Sequence, residues 1–217
     1  FPTTFIWKNH MILEDIVDTD RHPIARTDFA AKSATMLDRD GVLVLADFIR
    51  PAALDVILSE SVTKQDQAYF CTQKHSVYLS PHDPAFPDDH PANRQVTSSK
   101  GCICDDEIAA DSPLRRLYHD PQFQAFVAQV TGQQTVHPYA DPLSSINIHY
   151  ANRGQELGWH FDNSSFAITL LIQKPDAGSA FEYIKNLRDA DAGQMNYERV
   201  AALLDGQVQP DVLTMDP

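Results

Sequence analysis

Apolar residues recur at helical spacing in three stretches of the chain, residues 24–38, 51–58 and 114–131. A period near 3.6 residues places such side chains on one face of a helix, so each stretch predicts an amphipathic helix. The second stretch begins with proline, which is favoured in a first helical turn, and Gly132 after the third is a typical helix end. A turn at Asp38–Gly41 follows the first helix.

Short runs rich in β-branched and apolar residues predict strands at residues 42–46, 144–150, 166–173 and 180–184. Within the second run, isoleucines and Tyr150 alternate with Asn147 and His149, so the two sets of side chains point to opposite faces. Turns at Asn152–Gln155 and Pro175–Gly178 join the later strands, which predicts antiparallel pairing. We therefore expect an α+β or mainly β domain, in which a sheet or double-sheet barrel carries the earlier helices on its outside.

Four prolines fall between Leu79 and Pro91. Proline removes a backbone donor and fixes φ, so this segment is unsuited to a regular helix or a central strand. We interpret residues 79–92 as a long surface loop, of a length that is often functional, and as a candidate lid over a site.

The 217 residues fit one globular domain spanning 1–217, with 43% hydrophobic residues to build its core. The formal net charge is −13 and the basic residues are scattered, which argues against nucleic-acid binding and against attraction to an anionic membrane surface. The spacing of Cys71, Cys102 and Cys104 suits neither a disulfide framework nor a zinc knuckle, so we interpret them as free thiols. No apolar run reaches membrane length and no signal pattern opens the sequence, so we expect a cytoplasmic protein.

The run ELGWHFDNSS places His160 and Asp162 two residues apart, each next to an aromatic residue. With nine histidines and 24 aspartates, chance supplies about one His-x-Asp triplet in such a chain, so the triplet alone is weak and a solvent-facing ion pair is the alternative. On an extended segment residues i and i+2 share a face, so the two side chains should converge while Trp159 and Phe161 pack on the other side. One imidazole and one carboxylate so placed are two of the three ligands that hold non-haem Fe(II) in a facial triad.

A longer stretch of sequence resembles a known family. The run INIHYANRGQELGWHFDNSSFAITLLIQKPDAGSAFEYI is similar to the core of the Fe(II)/2-oxoglutarate-dependent oxygenases, and within them to the BesD-type free amino acid (lysine) halogenase and hydroxylase group. The resemblance extends to the segments YFCTQKHSVYL, DPAFPDDHPANR, KGCICDDEI and HPYADPLSS. It implies a double-stranded β-helix core of the jelly-roll or cupin-like kind, with the N-terminal helices packed outside.

The resemblance also implies the metal ligands and the reaction. His160 and Asp162 would bind Fe(II), with 2-oxoglutarate as cosubstrate and dioxygen as oxidant. Halogenases of this group have glycine at the carboxylate position, which leaves a coordination site for chloride, whereas Asp162 fills that position here. A hydroxylase is therefore implied. The distal histidine ligand and the arginine that binds 2-oxoglutarate are expected beyond Pro217, so the domain is expected to lack its C-terminal strands.

Other residues are candidates for small-molecule contacts. The resemblance places Tyr150 and Asn147 near the cosubstrate, with a buried tyrosine bonded to a neighbour as the alternative. Arg94 suits a substrate carboxylate, Asp141 an amine, and Trp159 a pocket wall. The alternatives are exposed charges for the first two and a core position for the tryptophan. The implied substrate is a free amino acid, with lysine as the leading candidate.

None of the other histidines is a convincing replacement for the missing ligand. We interpret His137 and His149 as core or pocket residues, and a further four as solvated residues of loops or helix ends: His75, His82, His90 and His119. Two other functions stay open. One is a cupin-like module that binds a small molecule or metal without catalysis, and the other, opposed by Asp162, is halogenation.

Overall fold

A computed structural model describes residues 11–141, 143–176, 178, 180–190 and 192–215 of the chain. Its helices are α1 (Leu13–Ile16), α2 (Thr27–Asp40), α3 (Pro51–Lys64), α4 (Pro113–His119), α5 (Pro121–Thr131) and α6 (Tyr197–Leu204). Its strands are β1 (Tyr69–Ser76), β2 (Gln95–Cys104), β3 (Asn147–Tyr150), β4 (Phe181–Tyr183) and β5 (Asp211–Leu213). Two short 3-10 turns, Gln65–Gln67 and Asp105–Glu107, follow α3 and β2.

The helix ends follow the residues that cap them. Helix α2 stops at Gly41, which adopts the left-handed conformation with φ 76° that glycine reaches without steric cost. The predicted helix over 114–131 is wrong as a single element, because Pro121 cannot donate to the preceding turn and splits it into α4 and α5. Asp120 then caps α5 by accepting from the amides of Gln122 and Phe123. Gly132 ends α5 as predicted.

The four N-terminal helices, together with α5, enclose the largest apolar cluster. Ile16, Val17, Ala53 and Ile57 are almost completely buried there, and Phe126 of α5 packs against them. Removing this much apolar surface from water is the main favourable contribution to the folding of this half of the chain.

Strands β1, β2 and β3 form an antiparallel sheet with β2 in the centre. Tyr69 and His149 both pair with Cys102 across the ladder, so these three side chains share a face. Ile103 and Ile148 lie on the opposite face and are buried in a cluster that includes Leu114 and Tyr118 of α4. The sheet thus has one face against the helices and one mostly polar face, which we call the open face: Tyr69, Cys71, Gln73, His75, Val96, Ser98, Lys100, Cys102, Cys104, Asn147 and His149.

The second sheet is a short antiparallel pair, β4 with β5. Helix α6 lies between these two strands along the chain and contributes to a third apolar cluster, in which Val77, Tyr78, Leu187, Val200 and Leu203 are buried. Strand β4 confirms the predicted strand over 180–184 and is one residue shorter at each end. The predicted turn over 175–178 includes Ala177, which lies outside the described residues.

Two predicted strands are wrong. Residues 42–46 and 166–173 are outside every strand of the part of the chain that the structure describes. Leu43, Leu45, Leu170 and Ile172 nevertheless pack against the helical cluster. Their apolar side chains are therefore buried although their backbone pairs with no other strand. A β-rich composition does not by itself provide a neighbouring strand with which to pair.

The long β1–β2 hairpin was not predicted, because its residues are mostly polar and half exposed. The loop between the two strands has no regular secondary structure over residues 79–92, as the prolines predicted. Asn93 anchors it: this buried side chain bonds the backbone of Asp83, Phe86 and Pro87. The loop is therefore held in place by this side chain.

The double-stranded β-helix stays a prediction. Among the described helices, none is long and apolar enough to cross a membrane.

Candidate functional site

The segment that carries His160 runs beside β2 and then beside the end of β1. The Ser99 amide donates to the Glu156 carbonyl over 2.7 Å, and the Gly158 amide donates to the Ser98 hydroxyl oxygen over 2.9 Å. The Phe161 amide donates to the Val77 carbonyl over 2.9 Å. Residues 156–161 are not part of a regular strand. Main-chain hydrogen bonds nevertheless hold this segment at both of its ends.

Gly158 lies against the backbone of β2. A Cβ atom built there would be 2.7 Å from the Thr97 carbonyl oxygen and 2.9 Å from a methyl carbon of Val96. Backbone atoms in a sheet do not yield as a flexible side chain does, so only glycine allows this close approach.

His160 and Asp162 come together as the triplet predicted. Nε2 of His160 is 3.6 Å from Oδ1 of Asp162, and Nδ1 of His160 is 2.8 Å from the Gly158 carbonyl oxygen. A carbonyl only accepts hydrogen bonds, so Nδ1 carries a proton, and in the neutral tautomer the lone pair is on Nε2, beside the carboxylate. The side chains are 34% and 56% exposed, so solutes can reach the pair from solvent.

This pair fits two positions of an iron site. Imidazole nitrogen and carboxylate oxygen are the donor types of the facial triad for Fe(II). Ligand atoms at neighbouring positions of an octahedral ion, each about 2.1 Å from it, are about 3.0 Å apart, so a modest side-chain movement from 3.6 Å suffices. Within the described ranges no three His, Cys, Asp or Glu side chains form a group that could hold a metal. A metal ion held by this pair would need a third ligand from outside the described ranges.

The aromatic neighbours of the pair point away from it. Trp159 and Phe161 are partly buried against the cluster of Val77, Tyr78 and Leu187. Phe161 packs on Tyr78 with ring centroids 5.2 Å apart. This is the core position considered for Trp159 in the sequence, and its role as a pocket wall stays a prediction.

The open face of the sheet continues away from His160 as a polar surface. Asn147 accepts a bond from the Cys102 thiol at 3.3 Å, and Lys100 donates to Nε2 of His149 at 3.1 Å. Partial loss of hydration and the Lys100 ammonium together lower the pKa of His149. Burial and the neighbouring Cys104 raise the pKa of the Cys102 thiol. Asn147 thus lies beside Cys102 on the open face, and its contact with a cosubstrate stays a prediction.

Tyr150 lies on the other face of the same strand. Its hydroxyl donates to the Ser61 carbonyl of α3 over 2.7 Å, and burial raises its pKa. Tyr150 and Asn147 are thus not brought together, and the tyrosine has the bonded, helix-facing environment that was its alternative. The hydrogen bond to α3 favours this alternative, and the cosubstrate contact implied by the resemblance stays untested.

The two proposed substrate-binding charges both have partners in the structure. Arg94 donates to the Asp205 carboxylate at 2.5 Å and to the Leu204 carbonyl at 3.0 Å. It therefore connects the loop that precedes β2 to the C-terminal end of α6. Asp141 is exposed and accepts from the Leu143 amide and the Ser144 hydroxyl within its own turn. Their roles in substrate binding stay predictions.

The other histidines divide differently from expectation, and His137, which we expected in the core or a pocket, is exposed. His75 is not solvated in a loop: it lies in β1, half-buried, with its ring centroid 6.2 Å from that of His160. His90 stacks on Phe86 at 4.1 Å and contacts Tyr197. His82 is exposed beside Asp88, as expected of a loop residue. His75 was misplaced because the strand around it carries no apolar alternation.

Sequence reasoning also missed Ser98 and Arg188. Ser98 joins His75 to the His160 segment. Arg188 lies over the Phe161 ring at 4.4 Å and donates to the Asp162 carbonyl at 3.3 Å. No local pattern marks either residue, because both reach the site through tertiary contacts.

Comparison with known proteins adds a family. Residues 82–208, more than half of the chain, match the family model described as Halogenase D, and this stretch includes β2, β3 and the His160–Asp162 pair. No curated protein and no solved structure matched the chain.

Proposed function

Because the chain belongs to the Halogenase D family, we propose that it is an Fe(II)- and 2-oxoglutarate-dependent dioxygenase that hydroxylates a C–H bond of a free amino acid such as lysine. The proposal rests chiefly on the pairing of His160 Nε2 with Asp162 at 3.6 Å on an accessible surface. It includes a double-stranded β-helix core to which the β1–β2–β3 sheet would contribute.

His160 and Asp162 would hold the iron together with a third ligand that the described residues do not supply. Bound iron would supply the oxidising chemistry, in which the substrate C–H, 2-oxoglutarate and dioxygen give the hydroxylated product, succinate and carbon dioxide. The protein's own part is to present Nε2 of His160 unprotonated, through the bond from Nδ1 to Gly158, and to orient the substrate carbon.

Asp162 favours hydroxylation within a family named for halogenation. A carboxylate that ligates the metal occupies the position at which a halogenase of the resembling group binds chloride. Halogenation is the second candidate, supported by the family match itself. A cupin-like module that binds a metal or small molecule without turnover is the third, since the same two side chains could bind an ion without catalysis.

The first experiment is a substrate screen. The full-length protein with Fe(II), 2-oxoglutarate and air is incubated with each of the common amino acids, and succinate and product masses are measured. We expect one or a few amino acids, lysine among them, to stimulate succinate formation and to gain one oxygen atom.

The His160→Ala variant is the control for this screen, and His137→Ala, an exposed histidine outside the pair, is its matched comparison. Turnover should be lost in the first and kept in the second. Metal binding without succinate formation from any amino acid would instead support the non-catalytic module.

A further inference from the structure

We infer that His75 and Ser98 are positioning residues for His160, acting through the backbone of Gly158. The inference rests on the proposed metal-binding role of His160. It concerns two side chains that lie on neighbouring strands and that would not themselves touch the metal.

A continuous series of hydrogen bonds joins the two histidines. Nδ1 of His75 is 3.0 Å from the Ser76 carbonyl, so it donates, and its Nε2 is left to accept from the Ser98 hydroxyl at 2.7 Å. The Ser98 oxygen in turn accepts from the Gly158 amide at 2.9 Å, and the Gly158 carbonyl accepts from Nδ1 of His160 at 2.8 Å. Every donor in this series has an acceptor.

These hydrogen bonds are important because glycine has more backbone freedom than any other residue type, so the backbone at Gly158 must be held by its neighbours. The only side chain that bonds its amide is that of Ser98, within the described part of the chain, and the next restraint on the segment is the bond from Phe161 to Val77. The carbonyl that sets the tautomer of His160 is therefore placed by a serine, and the serine hydroxyl is itself oriented by His75. Such outer partners determine how a metal-binding histidine presents its other nitrogen.

The rings add a second contact. His75 and His160 meet edge to face, with an interplanar angle of 88° and centroids 6.2 Å apart. His75 thus limits the rotation of the His160 ring directly as well as through the hydrogen bonds.

The test measures metal affinity rather than turnover. Co(II), which stands in for Fe(II), is titrated into the full-length protein in the presence of 2-oxoglutarate, and its visible absorption is recorded. Ser98→Ala and His75→Leu each remove one link, whereas Ser98→Thr keeps the hydroxyl and His75→Gln keeps an acceptor near the position of Nε2. Thr72→Val is the matched control, because it removes an exposed hydroxyl of β1 on the face opposite the open face.

Removing a link should weaken Co(II) binding about tenfold and change the Co(II) absorption spectrum, while the conservative variants should stay within about threefold of wild type. Thr72→Val should bind as wild type does, and thermal melts check that each variant is folded. Suppose that His160→Ala abolishes Co(II) binding but folded Ser98→Ala or His75→Leu keeps the wild-type affinity and spectrum. The positioning role would then be wrong, while the proposed metal site would stand. If wild type does not bind Co(II), or if His160→Ala binds it equally well, the proposed metal site fails and the inference falls with it.

Discussion

Gly158 determines how closely the segment that carries His160 lies against β2. A Cβ atom at residue 158 would lie 2.7 Å from the Thr97 carbonyl oxygen, which belongs to the backbone of the sheet. The carbonyl of this glycine also accepts a hydrogen bond from Nδ1 of His160. Among single residues, Gly158 is therefore as important to the site as the two proposed ligands.

Gly158→Ala should therefore impair the site without unfolding the protein. The added methyl group would lie 2.7 Å from the Thr97 oxygen, so the segment must move away and the hydrogen bonds on both sides of residue 158 must lengthen. We expect metal affinity to fall about tenfold in a Co(II) titration. Leu157→Ala, at an exposed neighbouring position, is the control, and an affinity for Gly158→Ala equal to that of wild type would show that the close approach is not needed.

Tyr150 gives a second residue-scale prediction, because its hydroxyl is bonded to α3. Tyr150→Phe should lower the free energy of unfolding by about 1 kcal/mol, the usual contribution of one hydrogen bond, as measured by urea denaturation. The KM for 2-oxoglutarate should stay the same. Tyr139→Phe, at a side chain that is 64% exposed, should change neither quantity. A raised KM in Tyr150→Phe would instead establish the cosubstrate contact.

At the scale of elements, the register of β2 sets the chemistry of the open face. Lys100 and His149 lie on adjacent strands, and the lysine ammonium donates to the histidine ring. Loss of hydration, and to a smaller extent the Lys100 ammonium, therefore place the folded-state pKa of His149 below its ordinary value of 6.5. The unfolded chain binds more protons between these two values, so the stability linked to His149 is complete above 6.5 and is lost as the pH falls through the folded-state pKa.

The ring titration of His149, followed by NMR, checks this prediction. The midpoint should lie below 6.5 in wild type and should rise in Lys100→Met, because the repelling ammonium is gone. Lys74→Met removes a charge from the other face of β1 and should leave the midpoint in place. A midpoint that does not respond to Lys100→Met would mean that the two side chains are not in contact in solution.

The elements also show where sequence patterns suffice. Periodicity predicted α2, α3 and the helical region before Gly132, since a helix is specified by contacts within its own turns. The strand predicted over 166–173 failed and the β1–β2 hairpin was missed, because a strand depends on a partner that is distant in sequence. Polar residues such as Gln73 and Lys74 carry no signal of that pairing.

The same limit applies to the site. His160 and Asp162 could be predicted, because a spacing of two on an extended segment is local information. Ser98, His75 and Arg188 could not, since only the pairing of β1 with β2 and the packing of a distant segment bring them to it. Arg94 has a structural partner that the sequence did not suggest, because Asp205 is far from it along the chain.

For the whole molecule, the central claim is that Asp162 makes a hydroxylase within a family described as halogenases. The most direct test compares the products of full-length wild type and Asp162→Gly, each given Fe(II), 2-oxoglutarate, air, chloride and the amino acid that stimulates succinate formation. Mass spectrometry should find only a product with one added oxygen in wild type, at every chloride concentration. The variant should lose most of that product, and any product it does form should be chlorinated. A chlorinated product from the wild-type protein would contradict the account.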